Sequence, residues 1–82
     1  MSTVLVEYRH DPPLDDAELA AFTARLQRCL DVRFVTVVRG YLSLDRKTQI
    51  VIYDGADAHT VQMVLGMQKV TPVRVVAVTD LT

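Results

Sequence analysis

One cysteine, Cys29, in 82 residues excludes an intramolecular disulfide. The fold must therefore hold by packing alone, and a reducing cytoplasm is the expected compartment. Three glycines are too few, and too scattered, for a phosphate-cradling loop. Neither sign of charge dominates: nine basic and ten acidic residues give a net charge of −1. That balance argues against nucleic acid as a partner, since phosphate binding draws on a surplus of Lys and Arg gathered on one surface. No apolar run approaches the ~20 residues of a membrane span, and Met1-Ser2-Thr3 leads into a strand pattern with no basic-then-apolar leader. The chain has no His-x-x-x-His pair, no Cys-x-x-Cys and no acidic calcium loop, so no metal constellation is read from spacing. No Ser/His/Asp arrangement is read either.

What is present is the balance of a globular chain: half the residues are hydrophobic and 23% are charged. The length allows a single domain, 1–82, with a modest core. Thr3 to Arg9 alternates as a strand and is stopped by Pro12 and Pro13, which lack the ladder N–H. Asp15 and Glu18 have capping-box spacing, and Leu19, Phe22, Leu26, Cys29 and Leu30 recur at helical intervals after them. Val32 to Tyr41 is rich in β-branched residues and predicts a second strand, with Gly40 as a bulge or an end. A polar connection, Ser43 to Lys47, has hairpin length and leads into a third strand, Thr48 to Tyr53. Asp57 is placed to cap a second helix over Ala58 to Lys69, with an inner stripe of Val61, Val64, Leu65 and Gln68. Gly66 inside it costs on the order of 1 kcal/mol relative to Ala, and Pro72 forbids continuation. Val73 to Thr79 is the last strand.

The order β-α-β-β-α-β, with right-handed crossovers, predicts an α+β ferredoxin-like fold: a four-stranded antiparallel sheet with both helices on one face. Alternation assigns Val4, Val6, Tyr8, Phe34, Val38, Val51, Tyr53, Val73, Val75 and Ala77 to the face under the helices. The other face receives Leu5, Glu7, Arg9, Val35, Val37, Arg39, Tyr41, Ile50, Ile52, Asp54, Arg74, Val76 and Val78. Its middle is Leu, Val and Ile, a larger apolar patch than monomers expose. Packing two such sheets face to face, as in a dimeric α+β barrel, would bury it, so a homodimer is expected. An RNA-recognition module shares the strand order but stacks bases on central-strand aromatics; Leu5, Glu7, Ile50 and Ile52 stand there instead.

Among the residues able to carry chemistry, His10 lies at a strand end, and its reference pKa of ~6.5 suits a general acid or base. Glu7 and Tyr8 are its neighbours, Asp11 is placed to orient the ring, and Tyr8, Tyr41 or Tyr53 can polarise a carbonyl. Glu7, Arg39 and Arg74 project from three strands on one face, where convergence would fix an anionic or carbonyl-bearing ligand. His59, in the first turn of the second helix, reads as a surface residue, and Cys29 as a small hydrophobe on the inner stripe.

Three stretches carry a resemblance over nearly the whole chain: the opening VEYRHDPPLDDAEL, the middle RGYLSLDRK, and the helix entry Asp54-Gly55-Ala56-Asp57-Ala58. Together they resemble a family of small ferredoxin-like proteins, long catalogued as a domain of unknown function, that includes nickel-binding members. The resemblance implies a metal-binding or metal-responsive protein as one expectation. Members often place a Cys and a Glu on the third strand, where this chain has Val51 and Ile52, and a helix His and a following Gly where it has Leu65 and Lys69. Glu7 and His10 are the matched positions that remain, and Ile52 makes the open face more apolar. The leading expectation is therefore a cytoplasmic homodimer that binds a hydrophobic small molecule. If it is catalytic, the expected reaction is a cofactor-free isomerisation or cyclisation, with His10 as acid or base and Arg39 or Arg74 stabilising an enolate.

Overall fold

The computed structural model describes residues 3–79 and 81. Met1 and Ser2, which the sequence leads straight into the first strand, lie outside the described residues, as do Asp80 and Thr82 of the tail. Six elements follow in the expected order: β1 (Thr3–Arg9), α1 (Asp16–Asp31), β2 (Thr36–Leu42), β3 (Thr48–Asp54), α2 (Ala58–Met67) and β4 (Arg74–Val78). They form one antiparallel sheet in the order β2-β3-β1-β4. Each crossover helix skips one strand, and the two halves interleave into the ferredoxin-like α+β fold.

The helix starts follow from their caps. Glu18 N–H donates to Asp15 Oδ1 at 2.8 Å and Asp15 N–H donates to Glu18 Oε1 at 3.1 Å, completing the capping box of α1. Thr60 N–H donates to Asp57 Oδ1 at 2.8 Å and caps α2. The helix ends repeat one device. After α1, Val35 N–H reaches back to Leu30 O and Phe34 N–H to Asp31 O, each at 3.0 Å. After α2, Val70 N–H donates to Leu65 O at 2.9 Å and Lys69 N–H to Gly66 O at 3.0 Å. Both pairs are the bonds of a Schellman motif, which needs a left-handed residue at its centre. Phe34 and Lys69 fill that place with φ of 60°.

Leu26 and Leu30 of α1 and Val61, Val64 and Leu65 of α2 pack on Val4, Val6, Tyr8, Val51 and Tyr53 of the sheet, with Val35 joining this core. The last point corrects the assigned faces. Chain irregularity resets the alternation twice on the way into β2. The left-handed turn at Phe34 leaves that ring 85% exposed, while Val35 goes into the core. A bulge then lies between Val37 and Arg39: Val37 pairs with Tyr53 and Arg39 with Ile52, leaving Val38 as the extra residue. So Val37 shares the covered parity of Tyr53 and Val38 does not, the reverse of simple alternation. Past the bulge, Arg39 and Tyr41 keep their open-face places, opposite Ile52 and Ile50. Val73 precedes β4 and is largely exposed, not part of the covered set.

The β2–β3 hairpin is tied to the start of α1 by Arg46. Its guanidinium bonds Asp16 Oδ1 at 2.7 Å and Leu14 O at 3.1 Å. This tie sets the rim of the sheet beside the end of β1, where His10 lies.

Candidate functional site

Strand alternation divides the polar residues of β1 between two sites. On the covered face, Tyr8 Oη and Tyr53 Oη share a buried hydrogen bond of 2.9 Å. Burial, reinforced by the mutual contact, pushes the Tyr8 phenol far up; burial pushes Tyr53 up as well, against the opposing hydrogen bond from Tyr8. Both phenols stay protonated, and neither serves as a base. The Tyr8 ring is held from α1, where Phe22 meets it edge-on at 5.4 Å.

His10 continues the same face past the end of β1. Its N–H donates to Lys47 O at 2.7 Å, so the ladder runs one residue beyond the strand. The ring is 8% exposed, meets Phe22 edge-on at 5.0 Å, and lies 2.9 Å from Gln49 Oε1 through Nε2. Gln49, the partner of Tyr8 across the β1–β3 ladder, holds the imidazole; Asp11 is exposed. Sequence reasoning passed over Gln49. The signal was its covered parity, two residues before Val51, where a polar side chain needs a partner.

The open face carries the other candidates in two rows set by the register. One row runs Tyr41, Ile50, Glu7, Arg74, and the next runs Arg39, Ile52, Leu5, Val76. Glu7 and Arg74 are directly opposite and 3.6 Å apart, a half-exposed ion pair of small energetic weight. Arg39 stands two strands from Glu7, roughly 10 Å across the sheet, with Ile52 and Ile50 between. The three residues expected to converge therefore separate into a pair and a distant third. Around Arg39 the twisted sheet forms a hollow of about 480 Å³, lined by Val38, Arg39, Tyr41, Ile52, Asp54 and Val78 together with threonines at its end. This volume falls in the range of small-molecule sites. A smaller cavity, about 80 Å³, lies on the opposite face beneath α1 and includes Tyr8, Tyr53 and Gln49 in its wall.

Among the described residues of one copy, Glu7 and His10 do not meet as metal ligands. Glu7 and His10 point to opposite faces of the sheet, and His10 Nε2 is occupied by Gln49. Among the described residues no group of three or more His, Cys, Asp or Glu side chains gathers as ligands. His59 is exposed on α2. Cys29 packs partly buried against the core, as a small hydrophobe does. Among the described residues no helix is long and apolar enough to cross a membrane.

No family model matches the sequence, and no curated protein does so either. Among solved structures, the chain is similar to one described as the crystal structure analysis of SCO4226 from Streptomyces coelicolor A3(2). The TM-score is 0.81 over 98% of this chain and 99% of that one, at 12% sequence identity. At that identity the likeness speaks for the fold.

Proposed function

We propose that this chain acts as a cytoplasmic homodimer whose open sheet faces close over a hydrophobic small molecule bearing an anionic or carbonyl group. The observation that carries the reading is the hollow at Arg39 and Tyr41, which Asp54 also lines, on an uncovered face whose middle is apolar. Leu5, Ile50, Ile52, Val76 and Val78 give that face its hydrophobic surface, and Arg39 gives the hollow a cation toward which an acidic or carbonyl oxygen orients. Four strands of five to seven residues present a plane of roughly 400 Å² per copy, from a spacing of ~4.8 Å and a rise of ~3.4 Å. Two corrugated faces of that size bury on the order of 1,000 Å², enough for a specific interface.

Binding, not turnover, is what the arrangement favours. An isomerase of the expected kind needs its acid–base group and its enolate-stabilising cation around one substrate. His10 lies under α1, while Arg39 and Arg74 lie on the other side of the sheet.

Light scattering after size exclusion tests the dimer: the expected mass is twice 9.2 kDa at micromolar protein, and Ile52→Arg should give the monomer with unchanged circular dichroism. Anilinonaphthalene sulfonate, an apolar fluorophore with one anionic group, probes the hollow. Its affinity should fall about tenfold in Arg39→Met, the effect of losing one charge-assisted hydrogen bond. A monomeric wild type, or fluorescence indifferent to Arg39→Met, overturns the reading.

A further inference from the structure

We propose that the cavity beneath α1 is a separate binding site, for a small uncharged molecule with an apolar body and one neutral hydrogen-bond acceptor, of the ketone, aldehyde or ether class. It is on the opposite side of the sheet from the hollow at Arg39 and stands whether or not the chain dimerises.

The first argument is the doorway. Gly40 pairs with Val51, so the side chain it lacks would point to the covered face at the edge of the sheet. Its φ is not in the left-handed region, and a Cβ built there meets nothing nearer than Ile50 O at 4.0 Å. Neither backbone conformation nor close packing requires glycine. A glycine inside a strand costs stability and marks places where a ligand approaches. Here the absent side chain leaves an opening between α1 and β2, flanked by Val37, itself 42% exposed although it shares the covered parity.

The second argument is the wall. Phe22, Leu26, Val37 and Val51 line the cavity with the two tyrosines, and no charged side chain does. An ion entering would lose its hydration without a counter-charge, so the occupant is neutral. Thr23, Gln27 and Gln49 also reach the wall, but the Thr23 hydroxyl donates to Leu19 O, Gln27 Nε2 donates to Asp31 Oδ1, and Gln49 Oε1 is engaged by His10. The buried polar feature with a proton to spare is the tyrosine pair. Two phenols carry two protons, and their mutual bond uses one. Among the described residues no other side chain accepts from either hydroxyl, so the second proton lacks an acceptor that a ligand oxygen would supply. Because burial keeps both phenols protonated, the pair remains a donor across the working pH range.

The volume, about 80 Å³, is roughly half that of the ~150 Å³ engineered cavity that admits benzene. The cavity therefore encloses the acceptor end of its occupant, whose remainder lies in the opening past Gly40.

Cyclopentanone and its hydrocarbon isostere methylenecyclopentane are suitable probes, read by amide chemical shifts in the full chain. Cyclopentanone should shift the Val37, Gly40 and Val51 amides saturably and bind more tightly than methylenecyclopentane. The double variant Tyr8→Phe/Tyr53→Phe, which removes both protons, should weaken the ketone about tenfold, the loss of one buried hydrogen bond, and leave the hydrocarbon nearly unchanged. Either single variant leaves one phenol and should keep most of the ketone preference. Gly40→Leu should block both probes. Equal affinity for ketone and hydrocarbon would overturn the acceptor class alone. No saturable shift, or shifts that persist in Gly40→Leu, would overturn the site.

Discussion

Lys69 and Phe34 hold a backbone conformation that side chains with a Cβ disfavour by about 1–2 kcal/mol. Each does so at a helix end that requires it. Lys69→Gly should therefore raise stability by about 1 kcal/mol, seen as a higher urea midpoint with an unchanged slope. Phe34→Gly should act in the same direction, since the ring is exposed and little packing is lost. Gly55 is the opposite case. Its φ is 110°, and a Cβ there would lie 2.5 Å from Phe34 O, so Gly55→Ala should cost about 1–3 kcal/mol. An unchanged midpoint in all three variants would show that these backbone conformations carry no strain. The lysine was visible in the sequence as a departure from the glycine of the resembling family. The need for glycine was not, because it arises from the paired bonds to Leu65 and Gly66.

At the scale of elements, the caps were the most legible features: Asp15, Glu18 and Asp57 act locally, within three residues, and the structure keeps them. Asp57 has a pH signature. Accepting the Thr60 N–H, and to a smaller extent the Thr60 side chain, holds its carboxyl below the usual carboxylate range. A carboxyl lowered by folding contributes stability above its unfolded pKa of about 4 and loses it as pH falls through the folded value. The stability gap between wild type and Asp57→Ala should then be full at neutral pH and narrow as pH falls below about 4; a gap of constant size would mean the cap acts without its charge. The face assignment of β2 was not legible. Val35-Thr36-Val37-Val38 offers no run of polar residues to mark which side is wet. Alternation counted through a left-handed turn and a bulge comes out reversed for Phe34, Val35, Val37 and Val38. The other three strands carry no bulge, and their residues keep the assigned parity, although Val73 lies ahead of β4 and Ala77, on the covered parity, is exposed.

For the whole molecule, the element order and the apolar middle of the open face could be read from periodicity, because each depends on patterns within one element. The sites could not. The hollow at Arg39 depends on the twist and register of the assembled sheet, and the cavity beneath α1 on where the helix rests above Gly40. His10 is the natural candidate from chemistry, but its burial against Phe22 and its bond to Gln49 depend on the packed helix and the strand register. If dimerisation stabilises the native chain, the melting temperature should rise with protein concentration, and Ile52→Arg should remove that dependence; a concentration-independent wild type would argue against the dimer. The Cα trace measures 33 × 29 × 17 Å, with a thin axis half the length of the others. Stacked sheets lie ~10 Å apart, so two such slabs placed face to face reach roughly 44 Å along the axis that is shortest in one copy. Such association would turn a plate into a short rod whose axis is the plate's normal. Rotational diffusion would then change character as well as rate, and relaxation of the backbone amides would report the assembly through the direction of tumbling.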